Sequence, residues 1–293
     1  DEAVKIAKSA DFVVFVGGLN KTEFQDSEGA DRKSLSLPYN QDVLISSLAK
    51  ANKNLAVVLV TGNAVSMPWV KEVPSILQTW YLGSEAGNAL ASVLAGDANP
   101  SGKLPFSFPV KLEDNGAHKL GEFPGNKEEI AAGKGKDKNN PINIKYNEGI
   151  FVGYRWHDTK NIKPLFSFGH GLSYTTFEFG KVKADKTKIS KDDKITFTVS
   201  VKNTGNREGA EVVQLYISDL KSSLPRPTKE LKGFEKVNLK PGETKEVSIT
   251  VDKSALSFFD PVKHDWVAEP GDFEVLIGNS SSDIKTKLKF SLQ

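Results

Sequence analysis

"DFVVFVGGLNKTEFQDSEGADR", residues 11–32, holds an unbroken apolar run that stops at two glycines and gives way to a polar loop dense in charge. The run Phe12 to Val16 carries no polar residue. Both of its faces must therefore be covered, which marks a strand of a parallel sheet sandwiched by helices rather than a half-exposed antiparallel strand. Neighbouring segments repeat the theme: Gln41 to Ala51 has helical periodicity, Leu55 to Val60 and Ser75 to Tyr81 read as strands, and Ser84 to Ala95 reads as a helix ending near Gly96. Strands alternating with helices predict an α/β domain. Reactive groups in such sheets sit on loops beyond the carboxyl ends of the strands, and Leu19 to Pro38 leaves the first strand at that end.

Farther along, residues 111–145 contain Gly133-Lys134-Gly135-Lys136-Asp137-Lys138-Asn139-Asn140 and few large apolar side chains, so they read as a long exposed excursion at the end of an α/β domain spanning 1–145. Residues 146–177 are dense in aromatics and glycine (Tyr154, Trp156, Phe166, Phe168, Gly169, Gly171), as in an ordered linker packed between domains. From 178 to 293 the period changes to two. Ile195, Phe197, Val199 and Val201 alternate with polar residues, as do Val213, Leu215 and Ile217; Val247, Ile249 and Val251; and Phe273, Val275 and Ile277. Short alternating strands between Pro/Gly turns predict an antiparallel β-sandwich of roughly seven strands, of immunoglobulin or fibronectin size.

The 293 residues are 38% hydrophobic, enough for two cores, and 39 Lys and Arg against 37 Asp and Glu leave a net charge of +2. That balance offers neither a nucleic-acid groove nor a polybasic membrane patch. No stretch approaches ~18 consecutive apolar residues, so no membrane-spanning segment is expected. There is no cysteine, which removes disulfides, thiolate metal sites and cysteine nucleophiles together, and the four histidines lack ligand spacing. The abrupt helical start reads as a mature or trimmed chain. Neither G-x-G-x-x-G nor a P-loop lysine pattern occurs, which disfavours nucleotide binding. The turn Gly169 to Tyr174 lacks the G-x-S-x-G order and reads as structural, with His170 as a packing side chain.

The loop after the first strand carries the chemistry-bearing groups: Glu23, Asp26, Glu28 and Asp31, then Arg32. A general acid needs a carboxyl group on backbone able to reach the substrate, and Glu28, followed by Gly29, fits best. Asp31 and Arg32 read as an internal ion pair bracing the loop. On composition alone the same segment also reads as an acidic, solvated surface loop.

The motifs resemble glycoside hydrolase family 3. Ser27-Glu28-Gly29-Ala30-Asp31-Arg32 followed by Leu35-Ser36-Leu37-Pro38 is similar to the family's acid/base loop. The stretches Trp80 to Gly87, Asn99 to Pro105, Tyr146 to Arg155 and Pro164 to Tyr174 follow in family order. Val213-Gln214-Leu215-Tyr216, Leu231-Lys232-Gly233-Phe234 and Pro270-Gly271-Asp272-Phe273 are similar to the fibronectin type III-like domain that ends many members. The resemblance implies a partial three-layer α/β sandwich followed by an all-β fibronectin type III-like sandwich. It also implies a retaining exo-β-glucosidase acting on terminal β-glucosyl residues of a β-glucoside or oligosaccharide, with β-xylosidase or a non-catalytic carbohydrate-binding scaffold as alternatives. Glu28 takes the acid/base role with Glu23 as rival, and Ala30 replaces an aromatic that many members carry. No metal or organic cofactor is implied. The family's nucleophile is an aspartate in a Ser-Asp-Trp-like motif on a preceding (β/α)8 barrel, and no Ser-Asp-Trp occurs in these 293 residues. The chain is accordingly read as the C-terminal part of the enzyme, inactive alone, with the barrel as its partner. Homodimerisation and a periplasmic or secreted location complete the expectation.

Overall fold

Branched apolar side chains in the first hundred residues pair as a short parallel sheet, seen in a computed structural model that describes residues 1–22, 24–28, 31–135 and 139–293. Two units divide the chain: Asp1–Asp97 with Phe108–Leu112, and Ala98–Ser107 with Glu113–Gln293.

In the first unit the order is α1 (Glu2–Ser9), β1 (Val13–Gly18), α2 (Gln41–Ala51), β2 (Leu55–Val60), β3 (Ser75–Gln78) and α3 (Ala86–Ala95). The strands run parallel in the order β1-β2-β3, with Val16 opposite Val58 and Val58 opposite Leu77. The central strand supplies the core through Leu55, Val57, Val58 and Leu59, to which α2 adds Ile45, Leu48 and Ala49. Asn52 Nδ2 donates to the carbonyls of Ala7 and Ala10, tying the end of α2 to the end of α1. Gly96, at φ 83°, ends α3 in the left-handed conformation that glycine adopts without strain.

The expectation that every strand is covered on both faces holds for β2 and fails for β1. The strand lies at the sheet edge, and Val14 and Val16 are 49% and 57% exposed, with Phe12 before them at 75%. The α2 helix stands on the other face, where its Gln41 occupies the space a Cβ on Gly17 would need. The α3 sequence AGNALASVLA is largely apolar, yet none of its residues is buried. Two boundaries also move inward, since β3 stops at Gln78 and α3 begins at Ala86.

After Ala98–Ser107 the second unit continues from Glu113 through most of the segment, 111–145, expected to be an exposed excursion. Instead it holds α4 (Gly116–Lys119) and α5 (Lys127–Ala131), the latter capped by Asn126, whose side chain accepts from the Glu128 and Glu129 amides. The signal missed was this N-cap followed by two acids in the first turn. The aromatic stretch contains α6 (Tyr154–Thr159) and is ordered by side-chain contacts: Tyr154 stacks on Phe168 at 4.8 Å, and its hydroxyl accepts from the Leu231 amide at 2.8 Å. His170 stacks on Phe166 at 5.2 Å and is a packing side chain, held below the usual histidine range by burial and by the Lys103 charge.

The strands that follow are β4 (Phe177–Phe179), β5 (Lys183–Ala184), β6 (Lys188–Ile189), β7 (Ile195–Asn203), β8 (Gly209–Asp219), β9 (Glu230–Leu239) and β10 (Thr244–Val251). After α7 (Lys253–Leu256) come β11 (Phe258–Asp260), β12 (Asp265–Val267), β13 (Gly271–Gly278) and β14 (Ile284–Leu292). A four-stranded sheet, β10-β7-β4 with β5 also on β7, faces a five-stranded sheet, β6-β14-β13-β8-β9, and β11-β12 form a hairpin. Their inner faces share one cluster that includes Phe197, Val199, Val213, Leu215, Phe273, Val275 and Leu292. The period-two pattern thus predicted the core side chains correctly. The short β6, which pairs parallel to β14, falls outside the all-antiparallel expectation.

Candidate active site

The loop that leaves β1 owes its course to local chemistry at the strand end. Gly18 has φ 141° and passes so close to the Val60 carbonyl that a Cβ would stand 2.1 Å from its oxygen, so only glycine fits. The side-chain amide of Gln41 brackets this residue, with Oε1 accepting from the Gly18 N–H at 2.8 Å and Nε2 donating to its carbonyl at 2.9 Å. Leu19 is then buried, and its amide donates to the Val60 carbonyl.

Beyond Leu19 the chain closes on itself. The Asp26 amide donates to the Asn20 carbonyl, the Asn20 amide donates to Gln25 Oε1, and Gln25 Nε2 donates to the Tyr39 hydroxyl at 3.0 Å. The loop rests on the segment that follows β2. Gly62 N–H donates to Asp26 Oδ2 at 2.6 Å and Asn63 Nδ2 to Oδ1 at 3.0 Å, while the Tyr81 hydroxyl, beyond β3, donates to Oδ2 at 2.7 Å. Farther on, Arg32 Nη1 donates to the Ala64 carbonyl at 2.7 Å and the Ser66 amide to the Leu35 carbonyl at 2.8 Å. Asp42 closes the loop by accepting from the Leu37 amide and from Trp69 Nε1.

The electrostatics follow from these contacts. Burial pushes the Asp26 carboxyl up, but the hydrogen bonds from Asn63, Tyr81 and Gly62 and the Arg32 charge outweigh it, so Asp26 sits below the usual carboxylate range. Tyr81 is pushed up to about 12, first by desolvation of its hydroxyl and then by its bond to ionised Asp26. Burial lowers the Arg32 guanidinium and the Asp26 charge opposes that shift. Ser27 Oγ and Arg32 Nη2 are buried without a hydrogen-bond partner among the described residues.

Glu28 lies between the two anchors, Asp26 and Arg32, and is exposed. Asp31 is exposed too. No ion pair joins it to Arg32 among the described residues; the bracing arginine instead acts on Asp26 and on the Ala64 carbonyl. Glu23, Gly29 and Ala30 lie outside the described residues. Sequence reasoning named Asp26 among the loop acids and Tyr81 within the Trp80 to Gly87 motif but gave neither a task, and it did not single out Gly62 or Asn63. Their signal was position alone, since each follows the end of a strand where an α/β sheet builds its sites. Among the described residues, no group of three or more His, Asp or Glu could hold a metal ion.

Residues 1–154 match the glycosyl hydrolase family 3 C-terminal domain, and residues 211–281 match the fibronectin type III-like domain. A beta-glucosidase of Bacteroides ovatus, BoGH3A, is 53% identical over 99% of this chain, and the thermostable beta-glucosidase B of Acetivibrio thermocellus is 47% identical over 98%. The match covers 37% and 36% of those proteins. Among solved structures, the Kluyveromyces marxianus beta-glucosidase crystallised with glucose superposes with a TM-score of 0.87 at 40% identity, over all of this chain and 33% of that one. The family 3 beta-glucosidase of Bifidobacterium adolescentis gives 0.88 at 37% identity, over 99% of this chain and 40% of its own. Motifs, fold and likeness agree that the chain belongs to glycoside hydrolase family 3, in which it corresponds to the C-terminal α/β domain followed by the fibronectin type III-like domain.

Proposed function

We propose that this chain supplies the general acid/base of a retaining exo-β-glucosidase, with Glu28 in that role, and that the aspartate nucleophile stands on a (β/α)8 barrel outside these residues. The observation that carries the reading is the exposed Glu28 held between two anchored neighbours at the carboxyl edge of the sheet. In the retaining reaction Glu28 gives its proton to the glycosidic oxygen as the barrel aspartate attacks the anomeric carbon. It then takes a proton from the water that releases glucose. That cycle requires the two carboxyls about 5 to 5.5 Å apart, so the barrel must dock over the loop.

Apolar surface supports such docking. In the first unit Phe12, just before β1, and Val14 and Val16 on its uncovered face are 75%, 49% and 57% exposed, and no residue of the largely apolar α3 is buried; exposed apolar surface of this kind marks interaction sites. In the other unit, Tyr146, Ile150 and Val152 are 79%, 50% and 62% exposed.

The test uses the polypeptide that joins this chain to its barrel. Glu28→Gln should lower kcat/KM roughly 10²- to 10⁴-fold for glucosides with poor leaving groups and far less for activated aryl glucosides, which depart without a proton. Glu23→Gln should leave both classes nearly unchanged. If Glu23→Gln alone shows the leaving-group dependence, the assignment of Glu28 is wrong.

A further inference from the structure

Glu28 must be presented in one place, although it rides on a long loop. Two residues before it the chain is fixed by a single carboxylate. Asp26 receives the Gly62 N–H, the Asn63 amide and the Tyr81 hydroxyl, three donors from the ends of two other strands, at 2.6, 3.0 and 2.7 Å. Two residues of chain reach no farther than about 7 Å, so this contact bounds where the Glu28 backbone can go. We propose that Asp26, clamped by Tyr81, is a positioning residue of the hydrolase, holding the Glu28 loop against the ends of β2 and β3; this rests on Glu28 being the acid/base.

Three features of the clamp fit that task. All three partners are donors, so the site accepts an ionised carboxylate and places an asparagine NH₂ against a donor. Gly62 leaves the space: a Cβ there would lie 3.0 Å from the Tyr81 ring and 3.2 Å from Asp26 Oδ2. The backbone that aims Tyr81 is specialised, because Trp80 adopts φ 59°, rare for a bulky residue, with its ring edge-on to Phe108 at 6.2 Å.

A positioning role and a purely structural one differ in what they do to substrates. In the full-length polypeptide, Asp26→Ala should lower kcat/KM about 10²-fold for cellobiose and alkyl glucosides, as misplacing a reacting group does, while kcat/KM for 2,4-dinitrophenyl β-glucoside falls less than about threefold. Asp26→Asn should follow the same pattern. Tyr81→Phe should lose roughly tenfold on the poor leaving groups, and the double variant with Asp26→Ala should be no worse than Asp26→Ala alone, because the two act as one unit. The ratio between substrates cancels any loss of folded protein. An equal loss on both substrate classes, or no loss, overturns the proposal. Glu28→Ala measured alongside separates the two readings. If it shows the leaving-group dependence and Asp26→Ala does not, only the positioning role falls; if it shows none, the acid/base assignment falls and takes the positioning role with it.

Discussion

Tyr81 is the residue whose chemistry reports most directly on the loop anchor. The residue is 48% exposed, yet its hydroxyl turns in to Asp26, and desolvation together with that carboxylate pushes the phenol up to about 12. A phenol raised in the folded state binds its proton longer than in the unfolded chain. The clamp therefore adds stability that is full below about pH 10 and fades as pH rises from there through about 12. Asp26 gives the opposite sign: its lowered pKa contributes stability above the usual carboxylate range, which is lost as pH falls through the folded value. Alkaline difference spectra at the tyrosinate band, parent minus Tyr81→Phe, should show one phenol ionising near 12. A phenol titrating near 10 would mean that the Tyr81 to Asp26 bond is not formed in solution.

At the scale of elements, the regular parts were legible and the joints were not. The α2 and β2 boundaries follow from periodicity alone, and the alternating strands of the second unit placed Phe197, Val199, Leu215 and Val275 inside as expected. What periodicity does not encode is long-range pairing. The geometry of an arginine fork suggests that Arg32 pairs with Asp31, whereas among the described residues Arg32 donates to the Ala64 carbonyl, 32 residues onward, and feels the Asp26 charge from earlier in the loop. A similar long-range device joins β8, β9 and α7. Arg226, nearly buried, donates to Asp219 at 3.1 Å, to Glu230 at 2.5 Å and to the Leu256 carbonyl at 2.8 Å, and lies over the Phe258 ring. Burial pushes Glu230 up, but Arg226, Lys232 and Arg155 outweigh it and keep it ionised. Arg226→Met leaves buried Asp219 without its cation, while Glu230 keeps Arg155 and Lys232, and urea unfolding followed by near-UV circular dichroism should register a loss of about 3 kcal/mol. A loss below about 1 kcal/mol, the value of a surface pair, would show that the network is solvated.

For the whole molecule, the apolar Phe12, Val14 and Val16 edge explains why the first strand misled in one respect. Its sequence calls for cover on both faces, and within these residues one face of β1 has none. On the proposed reading, the barrel that docks over the Glu28 loop would supply that cover. Purified alone, the 293 residues should release no aglycone from any aryl β-glucoside, and adding a separately expressed barrel segment should restore turnover while protecting β1 amides from hydrogen exchange. Turnover by the isolated chain would show that the nucleophile had been wrongly sought elsewhere. The central claim is that Glu28 both donates and removes the proton. It is tested most directly by product analysis of Glu28→Ala in the full-length polypeptide, turning over an activated aryl β-glucoside in the presence of azide. With no carboxylate left to activate water or repel the anion, azide should capture the glucosyl-enzyme and yield β-glucosyl azide with faster turnover. Glucose as the sole product with no acceleration, or azide capture by Glu23→Ala instead, would contradict the account.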